Sequence, residues 1–457
     1  MGIFDALTNA VTGLQAQSFA LQNISGNIAN SQTTAFKRVD TSFSDLVPES
    51  APSQQVSGGV IAQSRATNTV QGAIQAASVG TYMGINGDGY FIVQKPVGFP
   101  DGNPVFGGNN LYTRRGDFQL DKNGFLVNGA GYYLEGLSID PTTGNVTGSG
   151  ATVLKVSNDL VPAQVTTTIQ YRANLASLPL TAHYSATVPN SELLNPADFT
   201  TDPTVAGTGT VTGTDRQTFL SESIAGGAVT VFDPQGNPVD VQLRWAKIDS
   251  IPNGGTDTWE LFYQTDSTAV GPAVAWTNAG VDYKFDANGQ MNPAVTSVAL
   301  TALTVDGHLV GNVTINHGLN GMTQFADTNG VAQVNTLSQN GFAAGSLNSI
   351  AVNDKGRIVA TYSNGRTLDI AEIPLVTFKG QNALKSLDGG AFAETDDSGA
   401  PIFGASGTIA PKSLEGSNTD IADEFTKLIV TQQAYAANTK IVTTAQQMLQ
   451  DTLSMLR

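Results

Sequence analysis

Both ends of this chain carry apolar residues at a seven-residue period. Leu7, Leu14, Leu21 and Ile28, with Val11 between them, recur near the amino terminus. Ile421, Phe425, Leu428, Tyr435, Val442, Leu449, Leu453 and Leu456 follow a three-and-four spacing to the carboxy terminus. Such a period places side chains on one narrow helical seam, the geometry for packing against another helix rather than roofing a broad core. Seams of this kind need partners, and two of them at opposite chain ends predict helices that associate between copies. The second helix opens at Ser417-Asn-Thr-Asp420, a Ser-x-x-Asp pattern predicted to cap it, with Asp423 and Glu424 near the positive end of its dipole. No Pro or Gly follows before Leu456, so at ~1.5 Å per residue the helix would run for roughly 55–60 Å. Gln432 and Gln446 interrupt the seam as polar residues of the type that sets register.

Between the ends the texture is that of β-structure. Short β-branched and aromatic runs are punctuated by Asp88-Gly89, Asn123-Gly124, Asn128-Gly129, Asn288-Gly289, Asn329-Gly330 and Asn364-Gly365. These dipeptides supply positive φ for tight hairpins and predict antiparallel sheets. Composition breaks near 160–168 and 315–324 bracket an internal block. The expected fold is therefore mainly β with long terminal α-helices: residues 1–40 and 413–457 form a helical coiled-coil assembly domain and 41–77 an extended connector. Residues 78–165 and 321–412 form an inner β-domain, into which an outer β-domain, 166–320, is inserted.

Bulk properties narrow the functional classes. A chain of 457 residues exceeds one ordinary core. Its net charge of -16 and its 22 scattered Lys and Arg residues argue against nucleic acid, whose phosphates demand clustered cations. The absence of cysteine excludes disulfide staples, thiolate metal sites and cysteine nucleophiles. The first 36 residues carry one charge, Asp5, without a basic segment before a compact apolar one. A cleaved secretory leader is not expected, nor is direct membrane insertion, because no apolar run approaches the roughly 20 residues a span needs.

The residues of chemistry are equally uninviting. His183, His308 and His317 lie in strand-like or loop-like segments without helical pairing or a Glu-flanked metal motif, so surface or edge positions are expected. Gly84-Ile-Asn-Gly-Asp-Gly89 sits between strand signals and opens no helix, which reads as a hairpin turn rather than a nucleotide loop. Asp121-Lys-Asn-Gly124 and Asp286-Ala-Asn-Gly289 begin like calcium loops but lack the later ligands. No catalytic, cofactor-binding or metal-binding residue is assigned, no small-molecule substrate is expected, and the chain is not read as an enzyme.

Two groups of motifs, Asn27-Ile-Ala-Asn30 with Phe36-Lys37 at one end and Ser417-Asn418 with Gln432 and Asn438 at the other, resemble the flagellar axial proteins, the family of rod, hook and hook-junction subunits. Asn27-Ile-Ala-Asn30 followed by Thr34-Ala-Phe36-Lys37-Arg38 looks like the amino-terminal signature. Leu414-Glu-Gly-Ser417-Asn418, then Gln432-Gln-Ala-Tyr435-Ala-Ala-Asn438, resembles its carboxy-terminal counterpart. Gly87-Asp-Gly-Tyr-Phe91 and Tyr112-Thr-Arg-Arg-Gly-Asp-Phe118 look like the β-domain that distal rod and hook members share. The inserted block, with Val229-Thr-Val-Phe-Asp-Pro-Gln-Gly236 and Trp259-Glu-Leu-Phe-Tyr263, is similar to the outer domain of hook members; residues 177–214 match nothing. The resemblance implies a self-polymer, a flexible curved tube acting as a torque-transmitting universal joint between rod and filament. It also implies contacts with distal-rod, hook-cap and hook–filament junction proteins, leaderless export by the flagellar type III apparatus, and an extracellular location in the hook of the basal body. A distal rod or junction subunit is the alternative; an exported β-rich adhesin or carbohydrate-binding module is a distant one.

Overall fold

The computed structural model describes residues 3–46, 58–140, 143–148, 150–205 and 208–455. Among these residues the chain is mainly β with three α-helices, α1 (Ile3–Ala29), α2 (Arg216–Glu222) and α3 (Ile421–Met455). It divides into two compact units, residues 1–158 with 347–457, and residues 159–346.

In the first unit, segments from either side of the inserted residues share one sheet. Strand β5 (Tyr90–Gln94; chain-order numbering) pairs with Leu111–Thr113 and Tyr133–Ser138, and Leu375 lies opposite its Phe91. Tyr133–Ser138 continues to Thr367–Glu372 through Leu137 opposite Glu372. Phe91, Val93, Phe118, Leu126, Leu134 and Ile358 are buried together against this sheet. Nearer the helices, β3 (Ile74–Ala76) pairs with Ser413–Glu415, and β4 (Met83–Asn86) with Thr408–Pro411.

The stretch 41–77 is not simply an extended connector. β1 (Val39–Asp45) and β2 (Val60–Ala66) form an antiparallel hairpin beside α1, tied to it where Asn23 Nδ2 donates to Thr41 Oγ1 at 2.9 Å. Its strands are mostly exposed, so they lack the apolar alternation by which a half-buried strand is recognised. Pro48 and Pro52 lie outside the described residues.

The second unit packs two five-stranded sheets face to face. Tyr171, Trp245, Trp259 and Tyr283 fill the interface between them. Its limits differ from 166 and 320 for a physical reason. Gln333–Gln339 pairs with Thr168–Asn174, and Val161 and Gly345 exchange backbone hydrogen bonds at 2.9 and 3.1 Å. Thr168–Asn174 also runs parallel to His308–Asn316, so the sheets are not wholly antiparallel. Segment 177–214 has a packing role, since Leu194 and Val211 join Phe219, Phe262 and Trp276 in a separate core. With the ends of 159–346 adjacent, replacing that segment by a short linker should leave the first unit folded. Its unfolding transition in calorimetry checks this, and loss of that transition would refute it.

His317 is a correction to the expectation of surface positions. It is fully buried, with Nδ1 at 2.9 Å from the Tyr171 carbonyl and Nε2 at 2.9 Å from the Tyr283 hydroxyl. Burial holds its pKa below the ordinary value. His183 and His308 are exposed.

Five loops share one local solution. Asp121, Asn128, Asp233, Asp286 and Asn353 each accept, through Oδ1, the backbone N–H groups two and four residues on. A glycine with positive φ follows at the fourth position, as at Gly124 and Gly289. The two calcium-like starts are thus turns whose carboxylates bond their own backbone. In the Asn128-Gly129 loop the positive φ falls at Gly131.

Glu260 lies in the sheet interior at 1% exposure. One carboxyl oxygen accepts from Asn278 Nδ2 at 2.9 Å; the other has no partner, and Asp282 lies opposite on the next strand. Burial, and then the Asp282 charge, push its pKa up to about 8. The folded state therefore holds a proton that the unfolded chain releases above its ordinary value of 4.5. Stability of this unit should fall as pH rises between those values, by at most about 1.4 kcal/mol per pH unit. Glu260→Gln removes that slope. Its melting temperature should exceed the parent's at pH 8 and converge with it near pH 4.5; parallel pH profiles would contradict the assignment.

Candidate functional site

The terminal helices pack on each other within one chain, and their contact face differs from the apolar seams. On α1 the buried positions are Ala10, Gly13, Ala16, Ala20, Ile24 and Asn27, a largely small-residue stripe at three-and-four spacing. Small side chains let the backbones approach: a Cβ on Gly13 would stand 2.8 Å from Asn438 Nδ2. On α3, Glu424, Thr431 and Ala445 are buried, with Leu428, Ala434, Asn438, Val442 and Leu449 half-buried on the same face. At ~1.5 Å per residue the 35 residues of α3 extend about 52 Å.

The predicted α1 seam lies at the flank of this contact, whereas the α3 seam is divided between the contact face and the exposed side. Leu7, Leu14, Leu21 and Ile28 are half-buried, and Val11 is exposed. Ile421, Phe425, Tyr435 and Leu453 are exposed, whereas Leu428, Val442 and Leu449 turn partly inward. Leu456 lies outside the described residues. Gln432 and Gln446 are exposed and do not enter the helix contact. The helix cap also differs from expectation. Asp420 accepts the N–H of Ala422 at 2.8 Å and of Asp423 at 3.3 Å, while Ser417 accepts that of Thr419. Asp420 immediately precedes the helix, where a carboxylate reaches the free N–H groups of the first turn.

Most of the signature residues converge where the helices meet the β-body. Asn27 donates to the Val39 carbonyl and to Glu424 Oε2, both at 3.0 Å, and accepts from the Val39 N–H. Asn418 accepts the Arg38 N–H at 2.7 Å and donates to Thr67 and Val70. Asn30 closes the end of α1 on the Gly26 carbonyl, and the carbonyl of half-buried Phe36 accepts the Asn418 N–H. Asn438 lies on the helix contact, as described; exposed Gln432 stands apart.

Beneath them lies a buried charge cluster. Glu415 Oε1 meets Lys37 Nζ at 2.6 Å and the Gly72 N–H at 2.9 Å, and Oε2 meets Arg114 Nε at 2.8 Å. Lys37 also donates to the Val70 carbonyl, and Arg114 to the carbonyls of Gly87 and Gly89. Burial lowers the Lys37 pKa, opposed by the Glu415 charge. Backbones approach so closely here that a Cβ on Gly72 would fall 2.1 Å from the Gly416 carbonyl oxygen. Arg114 and Glu415 stand inside recognisable sequence signatures, but their joint role depends on a sequence separation of 301 residues. Their one local signal was charge in a chain where charge is scarce.

This arrangement joins the segment after α1, the β-body and the segment before α3. Its side chains hold distant backbone segments together, Lys37, Arg114 and Glu415 through one another and through the Val70, Gly87, Gly89 and Gly72 backbone, which is the work of a structural protein. Three family profiles match along the chain. They are a flagellar basal body rod FlgEFG protein C-terminal profile over residues 410–455, a flagellar hook protein FlgE/F/G D1 domain over 84–213, and a flagellar basal body protein FlaE D2 domain over 193–342. The last two together cover the segment 177–214. The flagellar hook protein FlgE of Brucella suis is 29% identical, with 100% of each chain covered. That of Escherichia coli is also 29% identical, over 99% of this chain and 100% of its own. The crystal structure of Helicobacter pylori flagellar hook protein FlgE2 shares the fold, with a TM-score of 0.50 at 15% identity over 75% of this chain and 100% of that one. From end to end the chain is thus similar to flagellar hook proteins, and all three profiles are of flagellar hook and rod proteins.

Proposed function

We infer that this chain is the repeating structural subunit of the bacterial flagellar hook. The observation that carries the reading is end-to-end similarity to proteins named flagellar hook protein, the inserted second unit included. The distal rod and junction alternatives, and the adhesin, are not favoured by these relatives. Subunits polymerise through the terminal helices. The seam side chains Leu7, Val11, Leu14, Leu21, Ile28, Ile421, Phe425, Leu428, Tyr435, Val442, Leu449, Leu453 and Leu456 supply contacts between copies, and the exposure of Phe425, Tyr435 and Leu453 in a single chain supports this. The helices line the inner tube. The tube bends as a universal joint that carries torque from rod to filament. Its neighbours are the distal rod, hook cap and hook–filament junction proteins, reached by leaderless type III export to the cell exterior. Electron microscopy of the assembled chain tests this reading. Curved tubes are the expected result, and straight rods or a permanent monomer would overturn it.

A further inference from the structure

The first unit carries an apolar projection and an apolar groove at opposite ends of strand β5. Beyond Gln94 the chain leaves the sheet as a hairpin, Pro96–Gly98 paired with Val105–Phe106. Its base is fixed by Phe106, whose ring centroid is 5.1 Å from that of Tyr133 and 5.9 Å from that of Phe125. Its outer part presents Val97 at 72% exposure and Phe99 at 58%, with Val105 also exposed. Among the described residues these side chains remain largely exposed, and large exposed apolar groups clustered on one projection mark a contact surface.

At the other end of β5, where Leu375 pairs with Phe91, lies a groove. Leu137, Ile373, Pro374, Leu375, Ile409 and Phe403 line it, the last at 58% exposure. The charges at the two ends are complementary. Exposed Lys95, Lys122 and Lys155 surround the hairpin; Lys155 lies over the Phe125 ring and Lys122 beside Gly102. Exposed Asp88 and Asp354 flank the groove, with Glu372 beside them paired to Arg357. The exceptions match as well, since Asp101 sits on the hairpin and Lys355 at the groove.

We propose that the hairpin around Phe99 of one copy docks in the groove beside Phe403 of the next, forming a head-to-tail contact between β-bodies. A projection and a recess at opposite ends of one sheet make a heterologous interface, and a heterologous interface that does not close on itself propagates a filament. The occupant is a second copy of this chain, because one surface carries both halves of the complementarity. The contact is additional to the helix seams and rests on the polymer reading given above.

The lack of cysteine makes the test direct. Phe99→Cys and Phe403→Cys subunits, each exposed at the changed position, are mixed and copolymerised with excess unaltered chain, pelleted, and treated with a short bismaleimide. Cross-linked dimers should form in the pelleted mixture and not in polymers containing either variant alone. Polymer that pellets normally yet gives no dimers in the mixture, or gives as many with one variant alone, overturns the contact while leaving the hook reading intact. Failure of the unaltered chain to pellet overturns that reading instead, and this contact with it. In parallel, Phe99→Ser should raise the concentration required for assembly about tenfold, a change of roughly 1.4 kcal/mol, with the melting temperature of the subunit unchanged. An unchanged assembly concentration would also count against the contact.

Discussion

Glu415→Gln is expected to destabilise the first unit by about 3–5 kcal/mol, because removing one partner of a buried charge cluster leaves the others desolvated and uncompensated. Lys37 and Arg114 would both lose their counter-ion at sites that are 3% exposed. The glutamine can still accept the Gly72 N–H, so backbone geometry is retained and the change isolates charge. Thermal unfolding followed separately for the two units checks this, since residues 159–346 hold none of the cluster and serve as internal reference. A change below about 1 kcal/mol would place the cluster among the ion pairs that contribute little.

Leu453→Asp is expected to abolish assembly without unfolding the monomer. Leu453 is 65% exposed in the single chain, so a carboxylate there stays hydrated until a neighbour covers it. In a dry helix interface the unpaired charge costs several kcal/mol, and the lost leucine forfeits a further ~2–3 kcal/mol at every copy. Pelleting assays and swimming motility should both fail, with an unchanged melting temperature. Leu449→Asp is the less clean test, because Leu449 is half-buried on the face turned to α1 and its replacement should also lower monomer stability. Gln450, exposed and off the seam, supplies the control as Gln450→Asp. Equal effects at 450 and 453 would remove the special status of the seam.

The contrast between Leu449 and Leu453 shows where reading the sequence stops. Seven-residue periodicity announced two terminal helices, and both form, but periodicity ranks positions by polarity alone. The face that α1 turns toward α3 is built instead from Ala10, Gly13, Ala16 and Ala20, residues that carry almost no hydrophobic signal. Their contribution is closeness of approach, and closeness appears only when the second helix is in place. Asp420 displaced Ser417 as cap for a similar reason, because both residue types suit the role and the first helical residue decides between them.

The junction of the helices with the β-body follows the same division. Asn27, Lys37 and Asn418 were legible as signature residues, yet the sequence could not say that they face one another; hydrogen bonds such as Asn27 to Glu424 span 397 positions. His317 went unrecognised because a lone histidine in a strand looks the same whether it meets water or two tyrosines. The inserted unit extends to 346 because Gln333–Gln339 pairs with a strand more than 150 residues earlier, and strand partnership leaves no local mark on composition.

What the sequence determined by itself was local: helix-forming periodicity, the turn residues that oblige the chain to form hairpins, and a shortage of charge and of catalytic residue types. Those properties arise from interactions among near neighbours, so they survive without knowledge of the fold. Which helix face is covered, which charges lose their water and which strands from distant segments share a sheet were decided only in the tertiary structure. Desolvation and packing are properties of an environment, and for this chain that environment is assembled from residues hundreds of positions apart.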